Sequence, residues 1–223
     1  MKMRIGKLAF GMALTACMML GSQAANAYQM VLGYPTASYT ARMSVTVTDG
    51  GWNRTVNALV THSAGLEKLE GKLDGEDQLV IIRPDINRHF IVSDHLPGIG
   101  ISAPADAGPL YVGSHNIHRL NPVRRHMATI GGEECRFYAV NGRNAAGGSF
   151  VGNVCLTPDG VMVYAKGTAG YAQRTAEVTM LLSDLHRQPV EIAQFNMPRN
   201  VEVMEIEAEL EATVRLLIPG LPE

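Results

Sequence analysis

Aromatic residues make up only 6% of this chain, with a single tryptophan, and charged residues only 18%. So few stacking side chains argue against a platform for single-stranded nucleic acid. There is no positive excess to attract a phosphate backbone either. The 19 Lys and Arg stand against 21 Asp and Glu, a net charge of -2. Low charge combined with 46% hydrophobic residues excludes a disordered chain. Catalytic signatures are also missing. Gly147-Gly148-Ser149-Phe150-Val151 lacks the closing glycine of a nucleophile elbow, and no phosphate-binding or dinucleotide-binding glycine pattern occurs. The chain is therefore read as a non-enzyme without cofactor or metal. A length of 223 residues suits one domain or two small ones.

What is present begins with an export signal. Lys2, Arg4 and Lys7 open the chain, Leu8–Leu20 is apolar, and S-Q-A-A-N-A at Ser22–Ala27 supplies the small residues of a cleavage site. The apolar run is too short to span a bilayer, and nothing downstream is longer. Cleavage after Ala27 would release a chain starting at Tyr28, with 16 basic residues against 21 acidic. Leu14-Thr15-Ala16-Cys17 also fits a bacterial lipobox, so a membrane-anchored lipoprotein through Cys17 stands as the alternative.

Only Cys135 and Cys155 remain after the signal. An even count in an oxidising compartment points to a disulfide. Each lies in a strand-like segment, and the turn-rich stretch Asn141–Gly148 between them would bring them together as a hairpin. A metal pair would want closer spacing and more ligands, and a redox pair a C-x-x-C motif.

Period-two alternation dominates the rest. In Ser38–Asp49, Tyr39, Ala41, Met43, Val45 and Val47 alternate with polar residues, and Trp52–His62 continues the pattern after Gly50-Gly51. Gln78–Arg83 and Arg88–Ser93 read as a hairpin about Pro84-Asp85-Ile86-Asn87. Further strands are expected at Leu66–Leu73, Ala128–Val140, Ser149–Thr157, Val161–Lys166, Ala176–Leu185 and Val190–Phe195. Leu96–Pro109 is expected to be a loop, and Asn116–Met127 a short helix or lid. The acidic tail from Val201 to Ile218 has helical spacing at Val203, Ile206, Leu210, Val214 and Leu217. The expected organisation is a signal over residues 1–27, a sheet domain over 28–203 and a helical tail over 204–223. His115 and His118 are spaced as a ligand pair could be. They lack a nearby acid and stand among Arg119, Arg124 and Arg125, which fits a solvated basic segment better.

These elements resemble the periplasmic lipoprotein-carrier superfamily that contains the LolA-like carriers. The resemblance rests on the opening strand Tyr39–Thr48, the L-V-I-I-R-P-D-I-N-R-H-F-I-V hairpin at Leu79–Val92, and the paired-cysteine hairpin. It also rests on the C-L-T-P-D-G-V turn at Cys155–Val161 and on I-A-Q-F-N-M-P at Ile192–Pro198. It implies a mainly β (α+β) fold. In that fold a strongly curved antiparallel sheet forms an unclosed half-barrel, with one or two helices over the concave face. It also implies a concavity that holds acyl chains, and no catalytic residues.

Alternation places Tyr39, Met43, Val45 and Val47 on one face, and Ile82 and Phe90 are expected to join them from the hairpin. This face is the candidate site for an apolar or lipid-like ligand in a periplasmic protein. The alternative is an interaction or assembly module with a filled core and an envelope-protein partner.

Overall fold

The structure is a computed structural model and describes residues 35–73, 75–104, 122–143, 148–171 and 174–205. The expected signal segment with Cys17, the pair His115 and His118, and the tail beyond Glu205 lie outside the described residues.

Twelve strands follow in chain order: β1 (Tyr39–Asp49), β2 (Trp52–Ser63), β3 (Leu66–Leu73), β4 (Glu76–Arg83), β5 (Arg88–Ser93), β6 (Ile99–Pro104), β7 (Val123–Ile130), β8 (Glu133–Arg143), β9 (Ser149–Leu156), β10 (Met162–Tyr171), β11 (Arg174–Arg187) and β12 (Glu202–Glu205). They form one sheet in the order β12-β6-β5-β4-β3-β2-β1-β11-β10-β9-β8-β7. The sheet has two ends, so it is not closed. Every pairing is antiparallel except the parallel β12–β6 pair. Glycine pairs make tight turns here, with both residues at positive φ, a conformation that glycine adopts without a Cβ clash. Gly50-Gly51 (52° and 105°) joins β1 to β2, and Gly131-Gly132 (60° and 86°) joins β7 to β8.

The sheet curls strongly at its β7 end. Three strand intervals separate β8 from β11, about 14 Å in a flat sheet. Yet a side-chain carbon on Gly131, in the β7–β8 turn, would sit 3.5 Å from the Leu182 carbonyl oxygen of β11. Arg187 of β11 reaches across the same gap. It donates to Glu133 at 2.9 Å and to Asp159, in the β9–β10 turn, at 2.6 Å. Core residues from β1, β2, β8, β9, β10 and β11 consequently pack as one cluster, including Met43, Val60, Tyr138, Phe150, Val154 and Leu182.

Arg187, chiefly through its hydrogen bond, holds the Asp159 carboxyl below the usual carboxylate range. A carboxyl whose folded pKa is depressed stabilises the fold above its unfolded pKa of about 4, and that contribution is lost as pH falls through the folded value. We therefore expect Arg187→Gln to cost about 1 kcal/mol at neutral pH. The gap from wild type should shrink in acid. Denaturant midpoints measured across pH check this, and a gap independent of pH would contradict it.

The disulfide is present: Cys135 and Cys155 are bonded with Cα atoms 5.5 Å apart, and both are fully buried. Phe137 stands opposite Cys155 across β8–β9, edge-on to Tyr164 at 5.9 Å, with His126 on its other side at 5.0 Å. A bond closing 20 residues stabilises by about 3 kcal/mol in the chain-entropy model. Cys135→Ser should lower the thermal midpoint by about 10 °C. The native oxidised protein should show no alkylation at either cysteine.

Several local expectations change. The expected helix or lid at Asn116–Met127 is a strand from Val123 onward, because Pro122 breaks helical spacing and Gly131-Gly132 folds β7 onto β8. The single strand expected over Ala128–Val140 is divided by that same turn. Ile99–Pro104, inside the expected loop, is β6, where Ile99, Ile101 and Ala103 alternate. Within Val190–Phe195, expected as a strand, Ile192–Phe195 forms a 3-10 turn. The start of the expected tail helix, Glu202–Glu205, is β12, since an open sheet edge offers backbone partners that outweigh helix propensity. Among the described residues the only helical elements are 3-10 turns, so helices over the sheet are not found there.

Candidate functional site

Register assigns each side chain to a face. Tyr39, Ala41, Met43, Val45 and Val47 of β1 stand opposite His62, Val60, Ala58, Val56 and Arg54 of β2. We call this the inner face, since the core cluster forms on it. Two rows cross it. An apolar row runs Ala41–Val60–Leu69–Val80–Ile91–Ile101 through β1 to β6. Beside it, a polar row runs Tyr39–His62–Glu67–Ile82–His89–Ala103. A β-bulge keeps β11 in phase. Asp184 takes a positive φ of 51°, and the register shift there lets Leu185 rejoin the core while Arg187 pairs with Tyr39.

Burial along this face is graded. Tyr39, Ala41, Met43, Val60 and Ile82 are buried, whereas Val45, Val47, Val56, Leu69, Val80 and Ile91 are only half-buried. The expected site residues therefore do not share one environment. Tyr39, Met43, Val45, Val47 and Ile82 share the inner face. Phe90 does not: it pairs with Ile81, while Ile82 pairs with His89, so Ile82 and Phe90 point to opposite faces. The continuous run Leu79–Ile82 has no period of its own, and the hairpin register decides the matter. Phe90 packs instead in a small core on the reverse face, with Leu66, Ile81, Leu79 and Phe195. Phe195 comes from the segment that crosses the sheet between β11 and β12, and Met197 and Val201 of that segment lie over Gly100.

A shallow groove of about 510 Å³ is lined by Arg42, Met43, Ser44, Asn57, Ala58, Leu59, Glu70 and Ser183, mostly the polar side of β1 and β2. Of the expected site residues only Met43 borders it.

The least expected member of the inner face is His62. It is fully buried and stacked on Tyr39, with ring centroids 5.0 Å apart and planes at 22°. Its Nδ1 lies 3.0 Å from the Ala37 carbonyl oxygen, and its Nε2 has no hydrogen-bond partner. Burial lowers its pKa, opposed by the bond to Ala37. Burial also lowers the pKa of His89 in the same row. Glu67, the cross-strand neighbour of His62, is only 3% exposed. The sequence carries a signal for His62, which continues the Val56, Ala58, Val60 alternation. Among the described residues no group of three or more His, Cys, Asp or Glu side chains gathers as a metal site would. No helix there is long and apolar enough to cross a membrane.

No family model matches the chain, and no curated protein does. Solved structures do. A LolA superfamily protein from Nitrosomonas europaea is similar over 74% of this chain and 93% of its own, at 7% identity and a TM-score of 0.42. An outer membrane lipoprotein-sorting protein domain from Vibrio parahaemolyticus is similar over 72% and 89%, at 11% identity and a TM-score of 0.37. The MucA/MucB complex of Pseudomonas aeruginosa is also similar, at 15% identity and a TM-score of 0.41, over 77% of this chain and only 59% of that one. At these TM-scores the LolA-superfamily likeness transfers no residue roles, and the chemistry of the site rests on this chain's own side chains.

Proposed function

We propose that the inner face binds an apolar, lipid-like or acylated ligand without catalysis, in a protein exported to the periplasm and cleaved after Ala27. The supporting observation is the graded burial. Tyr39, Ala41 and Met43 are packed, but Val45, Val47 and Val56, on the same face, are half-open. Apolar surface left partly exposed along a strand face is characteristic of a binding groove more than of a finished core. The site residues in this reading are Tyr39, Met43, Val45, Val47 and Ile82. Phe90, which pairs with Ile81 and faces the other side of the sheet, is left out of this reading.

Native mass spectrometry of protein purified from the envelope fraction tests the reading. An acyl-bearing species should co-purify, and a clean protein mass would speak against it. A pair of aspartates separates groove from core. Val45→Asp should fold with its thermal midpoint nearly unchanged and lose acyl binding. Ala41→Asp, at a position 1% exposed, should lose several kcal/mol, the cost of an unpaired buried carboxylate. If Val45→Asp unfolds as Ala41→Asp does, the groove is a filled core.

One observation favours a second reading, an interaction module with an envelope-protein partner. The terminal strand β7 exposes Val123 (56%) and Met127 (49%) beside Arg124 and Arg125. A sheet edge with exposed apolar side chains suits added strands from a partner. A start at lipidated Cys17, found by N-terminal analysis, would replace the soluble form by the anchored one in either reading.

A further inference from the structure

We propose that the polar row Tyr39–His62–Glu67–Ile82–His89 is the head-group end of the ligand face. There His62 Nε2 accepts a hydrogen bond from a neutral hydroxyl or N–H group of an amphiphile. The inference rests on the apolar-ligand reading above and adds the chemistry of the ligand's polar end.

The tautomer of His62 follows from its neighbour. The Ala37 carbonyl can only accept, so the Nδ1 that stands 3.0 Å from it must carry the proton. Burial favours the neutral ring. A neutral imidazole protonated on Nδ1 presents a bare lone pair at Nε2, and that atom is buried without a partner. A buried acceptor left unpaired is costly and uncommon in a folded protein, which points to a donor that completes it. The ring is held in place for this role. Tyr39 stacks on one side. The hydroxyls of Ser38 and Ser63 are hydrogen-bonded at 2.9 Å, which ties the start of β1, next to Ala37, to the end of β2, next to His62.

The geometry also selects the ligand class. Nε2 has no proton to give to a carboxylate or a phosphate. The fitting partner is a neutral donor, such as the free hydroxyls of an acylglycerol. An adjacent apolar row runs parallel to the polar row, two residues further along the strands, and its half-buried members Leu69, Val80 and Ile91 would accommodate the acyl chain.

The experiment compares two ligands with one acyl chain, monopalmitoylglycerol and methyl palmitate, on the full chain after lipid extraction. The first carries free hydroxyls and the second none. The wild type should bind monopalmitoylglycerol about tenfold more tightly, the worth of one buried hydrogen bond. His62→Phe, which keeps a ring and removes Nε2, should erase that preference and keep its affinity for methyl palmitate. Equal binding of both ligands by the wild type would overturn the head-group role and leave the apolar-ligand reading intact, His62 then facing a buried water only. Binding of neither would overturn the apolar-ligand reading itself. The wild-type ratio decides the matter even where His62→Phe does not fold.

Discussion

Gly167→Ala is expected to lower the stability of this protein by about 3 kcal/mol or more, the upper range for overpacking. Gly167 of β10 stands directly opposite Gly152 of β9. A methyl group on Gly167 would sit 2.6 Å from the Gly152 Cα and 2.8 Å from the Phe150 ring, and would collide with the Val151 carbonyl oxygen. Gly152 is enclosed in the same way, its added carbon falling 2.9 Å from that ring. Phe150, 1% exposed, lies across both glycines and fills the space their missing side chains leave. A side-chain tip could swing aside; a facing backbone strand can move only by breaking the ladder. The β9–β10 pair stands between the disulfide-bearing β8 and the central β11, so its loss uncouples the β7–β9 end of the sheet. The thermal midpoint should fall by about 10 °C or more, since each kcal/mol is worth about 3 °C in a chain of this size. An unchanged midpoint would show that the two strands are not in this register.

Phe195→Ala should cost a comparable amount, about 3–5 kcal/mol, as for other fully buried phenylalanines. Phe195 is 1% exposed and is the main side chain that the crossing segment contributes to the reverse face, against Leu66 and Ile81. Its loss leaves a cavity bounded by β-sheet on one side, which has little freedom to collapse. Because this core is on the face opposite His62 and Val45, the ligand reading makes a second demand. Well below its lowered midpoint, the variant should bind an acyl ligand as the wild type does. Thermal unfolding and acyl binding measured on one preparation check both parts. Lost binding with an intact fold would place the ligand on the reverse face, with Phe90.

Most of the inner face is legible in the local sequence. Alternation at Tyr39, Met43, Val45 and Val47 belongs to one strand, and a β-strand turns successive side chains to opposite faces whatever its surroundings. The same rule makes His62 legible, through Val56, Ala58 and Val60. Phe90 is not legible in this way. Leu79–Ile82 is apolar without a break, and His89–Val92 nearly so. Either phase satisfies the sequence, and only the pairing of Ile81 with Phe90 selects one. β6 is hidden by its flanking Gly and Pro residues, which mask the Ile99, Ile101, Ala103 alternation. β7 and β12 escape a local reading because their residues tolerate helix or strand, and the choice falls to whichever open edge is free to pair.

The sequence alone determined the strand-rich class, the tight turn at Gly50-Gly51, the hairpin about Pro84–Asn87, and the pairing of Cys135 with Cys155. These follow from backbone sterics, period-two patterning and the chemistry of a lone cysteine pair, all short-range. Only the tertiary structure decided which way the Leu79–Val92 hairpin faces, that the β11–β12 crossing fills the reverse face with Phe195, and that His62 is buried with Nε2 unpaired. Those outcomes depend on inter-strand register and on the curl that brings Gly131 to Leu182, which are set by contacts between residues far apart in the chain. Local patterning is blind to them, because shifting one strand by a single residue changes no local preference and turns every side chain over.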